Sequence, residues 1–278
     1  MLLWWLIACT SRPACGDDEV FDHDAGACQP YQAGEPVQAE VWSPAPGTTW
    51  QWQLTGSIDT SPEVAMYDVD LFEAPDDVLD ELQAAGRVRI CYFSAGSVEA
   101  FRDDVGFVSD EAIGRTLDGW PDERWLDVTH PDALELARRR LDRAADRGCD
   151  GVEPDNVDGY DNGTGFPISA AEQLQFNRFL ADEAHARGLS VGLKNDVEQL
   201  GELGDWFDWA LNEECVAYDE CDAYQAWLGA GKAVFHTEYA DNRGELGALA
   251  DAVCPARPPE LSTLLKTWDL GSEFIVCP

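Results

Sequence analysis

From Trp50 to the C-terminus, short apolar runs of strand length alternate with longer stretches whose apolar residues recur every three or four positions. The runs 50–55 (WQWQLT), 65–70 (AMYDVD), 87–93 (RVRICYF) and 150–155 (DGVEPD) read as strands. So do 189–194 (LSVGLK), 208–213 (DWALNE), 233–239 (AVFHTEY) and 262–268 (STLLKTW). Glycine marks the joints before four of them, at Gly86, Gly148, Gly188 and Gly231, as expected where a helix must stop. Three intervening helices are well signalled. Ser169-Ala-Ala-Glu172 has the form of a capping box, followed by Leu174, Phe176, Phe179 and Leu180 before an end near Gly188. Thr129 opens another, with Leu134, Ala137, Leu141 and Ala144 on one face, and 75–85 (PDDVLDELQAA) is the third.

Eight strands alternating with helices predict one α/β domain of the (β/α)₈ TIM-barrel type, somewhat irregular. Two stretches depart from the pattern. Only about ten residues, Pro62 among them, link the first two strands, too few for a crossover helix. The segment from Gly96 to Val128 is long, and Trp125 to Val128 within it forms a small extra strand. An open doubly wound sheet is the competing architecture.

The 278 residues suit one large domain better than two small ones. Charge changes the picture more: 54 acids against 18 bases give a formal charge of −36, which argues against a nucleic-acid partner. Such an excess favours solubility and suits a cationic partner or a salty environment. At the N-terminus, Met1 to Cys9 (MLLWWLIAC) is a short apolar run ending in a small residue and a cysteine, a lipoprotein-type signal that predicts export and offers Cys9 for lipid attachment to a membrane. Residues 10–45, rich in Asp, Gly, Pro and Ala, read as a linker or extended arm, and 46–278 as the barrel domain. With Cys9 set aside, eight cysteines remain, an even number suited to four disulfides. Cys15 with Cys28 and Cys215 with Cys221 would close short loops, but spacing does not define the connectivity.

In such barrels the reactive groups sit at the C-terminal ends of the strands. The fourth strand ends in Glu153-Pro154-Asp155-Asn156 and the sixth in Asn212-Glu213-Glu214-Cys215. Two carboxyl groups facing one mouth are what hydrolysis of a glycosidic bond requires. Residues two apart on a strand share a face, so Glu153 and Asp155 point the same way, with Asp155 nearer the rim. Glu213 and Glu214 point oppositely, and the pattern prefers neither. Lys194, ending the fifth strand, lies between the acids and can hold Asp155 ionised or contact a sugar hydroxyl. Tyr92, Asp68, Asp70, Glu238 and Tyr239 are further pocket candidates, and Trp50, Trp52, Trp227 and Trp268 are candidates for stacking on sugar rings. No metal or cofactor is expected: the cysteines lack ligand spacing, 155–163 (DNVDGYDNG) fits no register of an EF-hand loop, and GxSxG, Walker A and HExxH motifs are missing. His236, in the seventh strand, reads as a packed or pocket-lining residue.

The ordered set WQWQLTG, YDVDLFE, ICYFSAGSVE, GCDGVEPDNVDGY, GLKND, LNEEC and LLKTWDL resembles glycoside hydrolase family 114, over roughly residues 40–278. That family includes endo-α-1,4-polygalactosaminidases, so the resemblance implies an irregular barrel and an internally cleaved, galactosamine-containing polysaccharide. PDNV at 154–157 is similar to the strand-four ending of α-galactosidase-like barrels, which implies Asp155 as nucleophile; the first Glu of LNEEC, Glu213, is then the general acid/base and Glu153 a reserve for either role. Cys215 and Cys221 match cysteines bracketing the family's loop after strand six, which implies a disulfide there. The expected enzyme is a secreted, retaining endo-glycosidase. Two alternatives are a surface lipoprotein that binds polysaccharide without cleaving it and an exo-acting α-galactosidase.

Overall fold

The computed structural model describes residues 13–16, 19–22 and 25–278; Cys9 and its apolar run lie outside the described residues. Eight parallel strands are hydrogen-bonded in chain order: β1 (Trp50–Gln53), β2 (Met66–Asp70), β3 (Val88–Ser94), β4 (Gly151–Asp155), β5 (Ser190–Lys194), β6 (Trp209–Glu213), β7 (Val234–Ala240) and β8 (Ser262–Thr267). Each falls within a residue or two of the run expected from hydrophobic pattern, and the arrangement is the irregular barrel rather than the open doubly wound sheet.

The helices are α1 (Asp76–Ala84), α2 (Pro131–Asp146), α3 (Ala170–Ala186), α4 (Leu200–Leu203), α5 (Gln225–Gly229) and α6 (Leu246–Val253). The Ser169–Glu172 capping box forms as expected. α2 starts two residues later than Thr129 because Pro131, which has no N–H to satisfy, takes the first helical position and the His130 side chain accepts from Asp132 N. No helix covers residues 54–65 between β1 and β2. After β8 the chain turns back as a short antiparallel strand, Ile275–Val276, on Leu264 and Leu265.

Alternation along the strands divides two cores. Inward positions put Trp50, Trp52, Met66, Ile90, Trp209 and Phe235 into an apolar floor, while outward positions such as Cys91, Val152, Val191 and Ala210 pack against the helices. In the floor Trp50 and Trp209 flank Phe235, with ring centroids 4.9 and 5.3 Å away. Gly192 makes room for this packing, since a Cβ there would stand 2.2 Å from Trp209 Cζ3.

β1 and β8 are joined by side chains and loop backbone. Trp50 Nε1 donates to Ser262 O at 2.8 Å, Lys266 Nζ to Gln51 Oε1 at 3.3 Å, and Leu54 N to Leu270 O at 3.0 Å. Burial pushes the Lys266 ammonium down to about 8.

Between β3 and α2 the long segment folds into a three-stranded antiparallel sheet, with Trp120–Leu126 between Ser97–Glu99 and Ile113–Leu117. The extra strand expected at 125–128 is the end of a longer one. Asp118-Gly119, with Gly119 at φ +83°, makes the tight turn of its hairpin.

Described residues before β1 lie on the barrel. A hairpin of Glu19–Asp22 and Ala27–Pro30 sits on α3, where Ser169 Oγ donates to Glu19 O at 2.8 Å and Phe21 N to Glu172 Oε1 at 3.0 Å. Farther on, Ala233 N donates to Pro44 O at 3.1 Å and Trp42 packs under the apolar floor. The eight described cysteines pair as Cys15–Cys28, Cys91–Cys149, Cys215–Cys221 and Cys254–Cys277.

Gly192→Ala should therefore destabilise the fold by about 3 kcal/mol, the upper range for overpacking a filled core. Denaturant unfolding measures it, and a cost below about 0.5 kcal/mol would mean that Trp209 can move aside.

Candidate active site

Above the apolar floor the inward positions become polar. Lys194, at the end of β5, has an almost fully buried side chain, with Nζ 2.9 Å from Glu153 Oε1, 3.2 Å from Asp155 Oδ1 and 3.2 Å from Glu213 Oε2. The ammonium also sits 4.8 Å from the Trp52 ring centroid and 5.9 Å from that of Tyr92. Burial works against its charge, but Asp155, Glu153 and Glu213 outweigh that and hold it well above the usual lysine range.

Each rim carboxylate has its own tyrosine. Tyr92 OH donates to Asp155 Oδ2 at 2.9 Å, and Tyr239 OH donates to Glu213 Oε1. Burial, then the facing carboxylate, pushes both phenols well above their ordinary range, so each keeps its proton. Asn195 grips Glu213 twice, accepting from its backbone N at 2.9 Å and donating through Nδ2 to Oε2 at 3.3 Å. The strand ends that carry these groups turn abruptly: Asn156, Asn195 and Glu214 take φ of 60°, 47° and 64°, a left-handed conformation most easily borne by Asn. Glu214, one residue beyond Glu213, is turned to the groove wall.

The groove holds about 1320 Å³. The inserted sheet forms one wall, bringing Trp120, Glu123 and Glu99, while Tyr218 and Trp268 stand on the other side. Trp268 is half exposed and stacks on Tyr239 with centroids 4.2 Å apart and planes 18° from parallel. Arg102, nearly buried, is held by Asp70 at 2.7 Å and Glu99 at 2.9 Å. Burial, then Glu99 and Asp155, pushes Glu123 up to about 7. Burial, then Asp155, pushes Asp158 up to about 6.

Of the residues singled out from sequence, Asp155, Glu213, Lys194, Tyr92, Asp70, Trp52, Tyr239 and Trp268 line this groove. Glu153 and Asp68 do not reach its surface; both are fully buried beneath it. Trp50 is one layer lower, 2% exposed, with its indole N–H used at the β1–β8 seam. Glu238 points away from the barrel interior, accepting from Val216 N at 2.7 Å and from His236 Nε2 at 3.1 Å. Trp227 is buried in the helical layer, donating to Leu200 O. His236 is fully buried between Thr263 and Glu238. Cys215, Cys221 and His236 bring potential ligand atoms within 4.8 Å of one another, but both sulfurs are joined in a disulfide. Asn195, Arg102, Trp120 and Glu123 were not singled out; the Asp-Gly turn would have pointed to the last two.

The profile of glycoside-hydrolase family GH114 matches residues 32–278. This chain belongs to that family. A solved structure of Aspergillus fumigatus Ega3 in complex with galactosamine is 40% identical, covering 88% of this chain and all of that one, with a TM-score of 0.80. The glycoside hydrolase domain of PelA from Pseudomonas aeruginosa shares the fold at 14% identity, with a TM-score of 0.61 over 82% of this chain and 96% of that one. An uncharacterized protein from Deinococcus radiodurans is 27% identical over 263 residues, 82% of this chain and 85% of the relative.

As a GH114 glycoside hydrolase, the chain presents two rim carboxylates on strands β4 and β6, each with a tyrosine donor and both tied to one ammonium. Removing that ammonium exposes its structural role. Lys194→Met leaves Glu153 buried beside Asp155 without a counter-charge and should cost about 3–5 kcal/mol. Adding Glu153→Gln to it should recover part of the loss, because the uncompensated charge disappears. Chemical denaturation of the single and double variants checks both values, and a double variant less stable than the single would refute the account.

Proposed function

We propose that this GH114 enzyme cleaves internal α-1,4 bonds of a galactosamine-containing polysaccharide with retention of configuration. In this reading Asp155 attacks the anomeric carbon, and Glu213 protonates the leaving oxygen and then takes the proton back from water. The spacing of the acids carries it. Asp155 Oδ1 and Glu213 Oε2 each lie 3.2 Å from one nitrogen, so they are no more than twice that distance apart. Retaining pairs stand about 5–5.5 Å apart, whereas inverting pairs need about 6.5–9.5 Å for a water. Tyr92 and Lys194 contact opposite oxygens of Asp155 and fix its direction, as Asn195 and Tyr239 do for Glu213.

Support for the sugar comes from the galactosamine bound to Ega3, at 40% identity to this chain. Deacetylated galactosamine carries an ammonium group, which a chain of formal charge −36 attracts. Support for internal cleavage comes from exposed aromatic rings on both sides of the groove, Trp120 on one and Tyr218 and Trp268 on the other, which suit a chain lying across the mouth. Four disulfides support an oxidising compartment outside the cytoplasm, and the N-terminal run ending in Cys9 supports export with lipid attachment. No helix among the described residues is long and apolar enough to cross a membrane.

Asp155→Asn should lower reducing-end release from partly deacetylated poly-galactosamine by on the order of a thousandfold or more, with an unchanged thermal melt. Normal turnover in that variant would sink the assignment, and polymer binding without release by the wild type would make the chain a lectin-like binder. Early products followed by NMR should show the α-anomer first.

Charge gives a further expectation. Glu123 and Asp158 are neutral below about 7 and about 6 and anionic above, so the groove gains negative charge as pH rises through this range. The KM for the deacetylated polymer should fall over that interval, and Glu123→Gln should flatten the fall. A wild-type KM that rose instead would contradict this account of ammonium recognition.

A further inference from the structure

Directly under the groove the barrel holds two carboxyl groups that the proposed reaction does not use. Asp68, on β2, is fully buried, and among the described residues no donor reaches either of its oxygens. Glu153, on β4, is equally buried; its Oε1 accepts from Lys194, and its Oε2 has no donor. The two side chains are within hydrogen-bonding reach of each other. If both were ionised, three buried oxygens would lack hydrogen, and one ammonium would face the four anions Asp68, Glu153, Asp155 and Glu213. Buried polar groups are rarely left in that condition.

We propose that Asp68 and Glu153 share one proton, Asp68 being the carboxylic acid whose O–H donates to Glu153 Oε2. A single proton eases both difficulties. It gives Oε2 a donor, turns one Asp68 oxygen from an unmatched acceptor into a donor, and removes one of the four negative charges. The proton belongs on Asp68 because Lys194 already donates to Glu153 and favours its ionised form. The groups facing Asp68 agree: burial first, then Glu153 and Asp155, push it well above the carboxylate range, and Lys194 opposes them without prevailing. A carboxylic acid kept neutral in an apolar setting so that it can donate a hydrogen bond is established enzyme chemistry.

The chain then runs from Asp68 through Glu153 to Lys194 and ends on Asp155 and Glu213. Asp68 is a positioning residue. It holds Glu153 under the ammonium, and Glu153 holds the ammonium at the height where both rim carboxylates reach it. Its effect on turnover rests on the roles proposed above for Asp155 and Glu213; the shared proton does not.

Two measurements separate these claims. Infrared difference spectra of wild type against Asp68→Asn at pH 7 should show the C=O stretch of a protonated carboxylic acid in the wild type, lost in the variant. That readout needs no substrate and stands whichever polymer the enzyme cleaves. Lack of that band would overturn the proposal, because Asp68 would then be ionised. On a polymer that the wild type cleaves, Asp68→Leu should lose at least tenfold in kcat with little change in KM. Asp68→Asn, whose amide N–H replaces the acid as donor to Glu153, should restore most of that loss. Equal losses in Asn and Leu variants would count against the donor role.

Discussion

One ammonium group, enclosed by Trp52 and Tyr92 and reached by three carboxylates, sets the geometry of the barrel mouth. Charges withdrawn from water interact strongly, and a buried set of this kind persists only when its members neutralise one another and their remaining lone pairs find donors. Lys194 therefore constrains three strands at once. β4 must bring Glu153 and Asp155 to it on one face, and β6 must end with Glu213 at the same height. The tyrosines on β3 and β7 supply the hydrogens that a single ammonium cannot, and Asn195 supplies another from the turn that follows Lys194 itself.

The remainder of the molecule supports this arrangement from below and from the sides. The Trp50, Trp209 and Phe235 floor fills the interior and leaves no room for the polar layer to sink. Where β1 and β8 meet, the barrel is joined by an indole, a buried lysine and the loop after β8, so one side of the site is carried by side chains rather than by a strand ladder. Glu19 and Phe21 bond to the start of α3 and Trp42 packs on the floor, which ties a stretch without regular period to the core.

The inserted sheet between β3 and α2 gives the mouth its shape. It carries Trp120 and Glu123 to one wall and holds Arg102 against Asp70 and Glu99, an ion cluster that stiffens the wall beside the two rim acids. Burial, then nearby acids, pushes Glu123 on that wall up to about 7, and burial, then Asp155, pushes Asp158 just beyond β4 up to about 6, so the field in the groove depends on pH.

Much of this was legible in the chain alone. The eight strands, the capped α3 and the missing β1–β2 helix follow from local periodicity, capping chemistry and loop length, which act within a few residues and so leave a direct trace in sequence. Alternation in GVEPD likewise placed Glu153 and Asp155 on one face. Family resemblance, rather than pattern, singled out Glu213 over Glu214. The heights of inward residues were not legible: Trp50 and Trp52 both belong to the floor, yet only Trp52 reaches Lys194 while Trp50 bonds Ser262 at the seam, because the height at which a strand sits in the barrel decides which of its inward residues meets the polar layer. Asp68 and Glu238 read as pocket acids, but the first lies under the groove and the second outside the barrel interior. Which cysteines meet, which loop faces the mouth, and which carboxyls share one cation depend on contacts between residues far apart in sequence. Only the closed tertiary structure brings those residues within bonding distance.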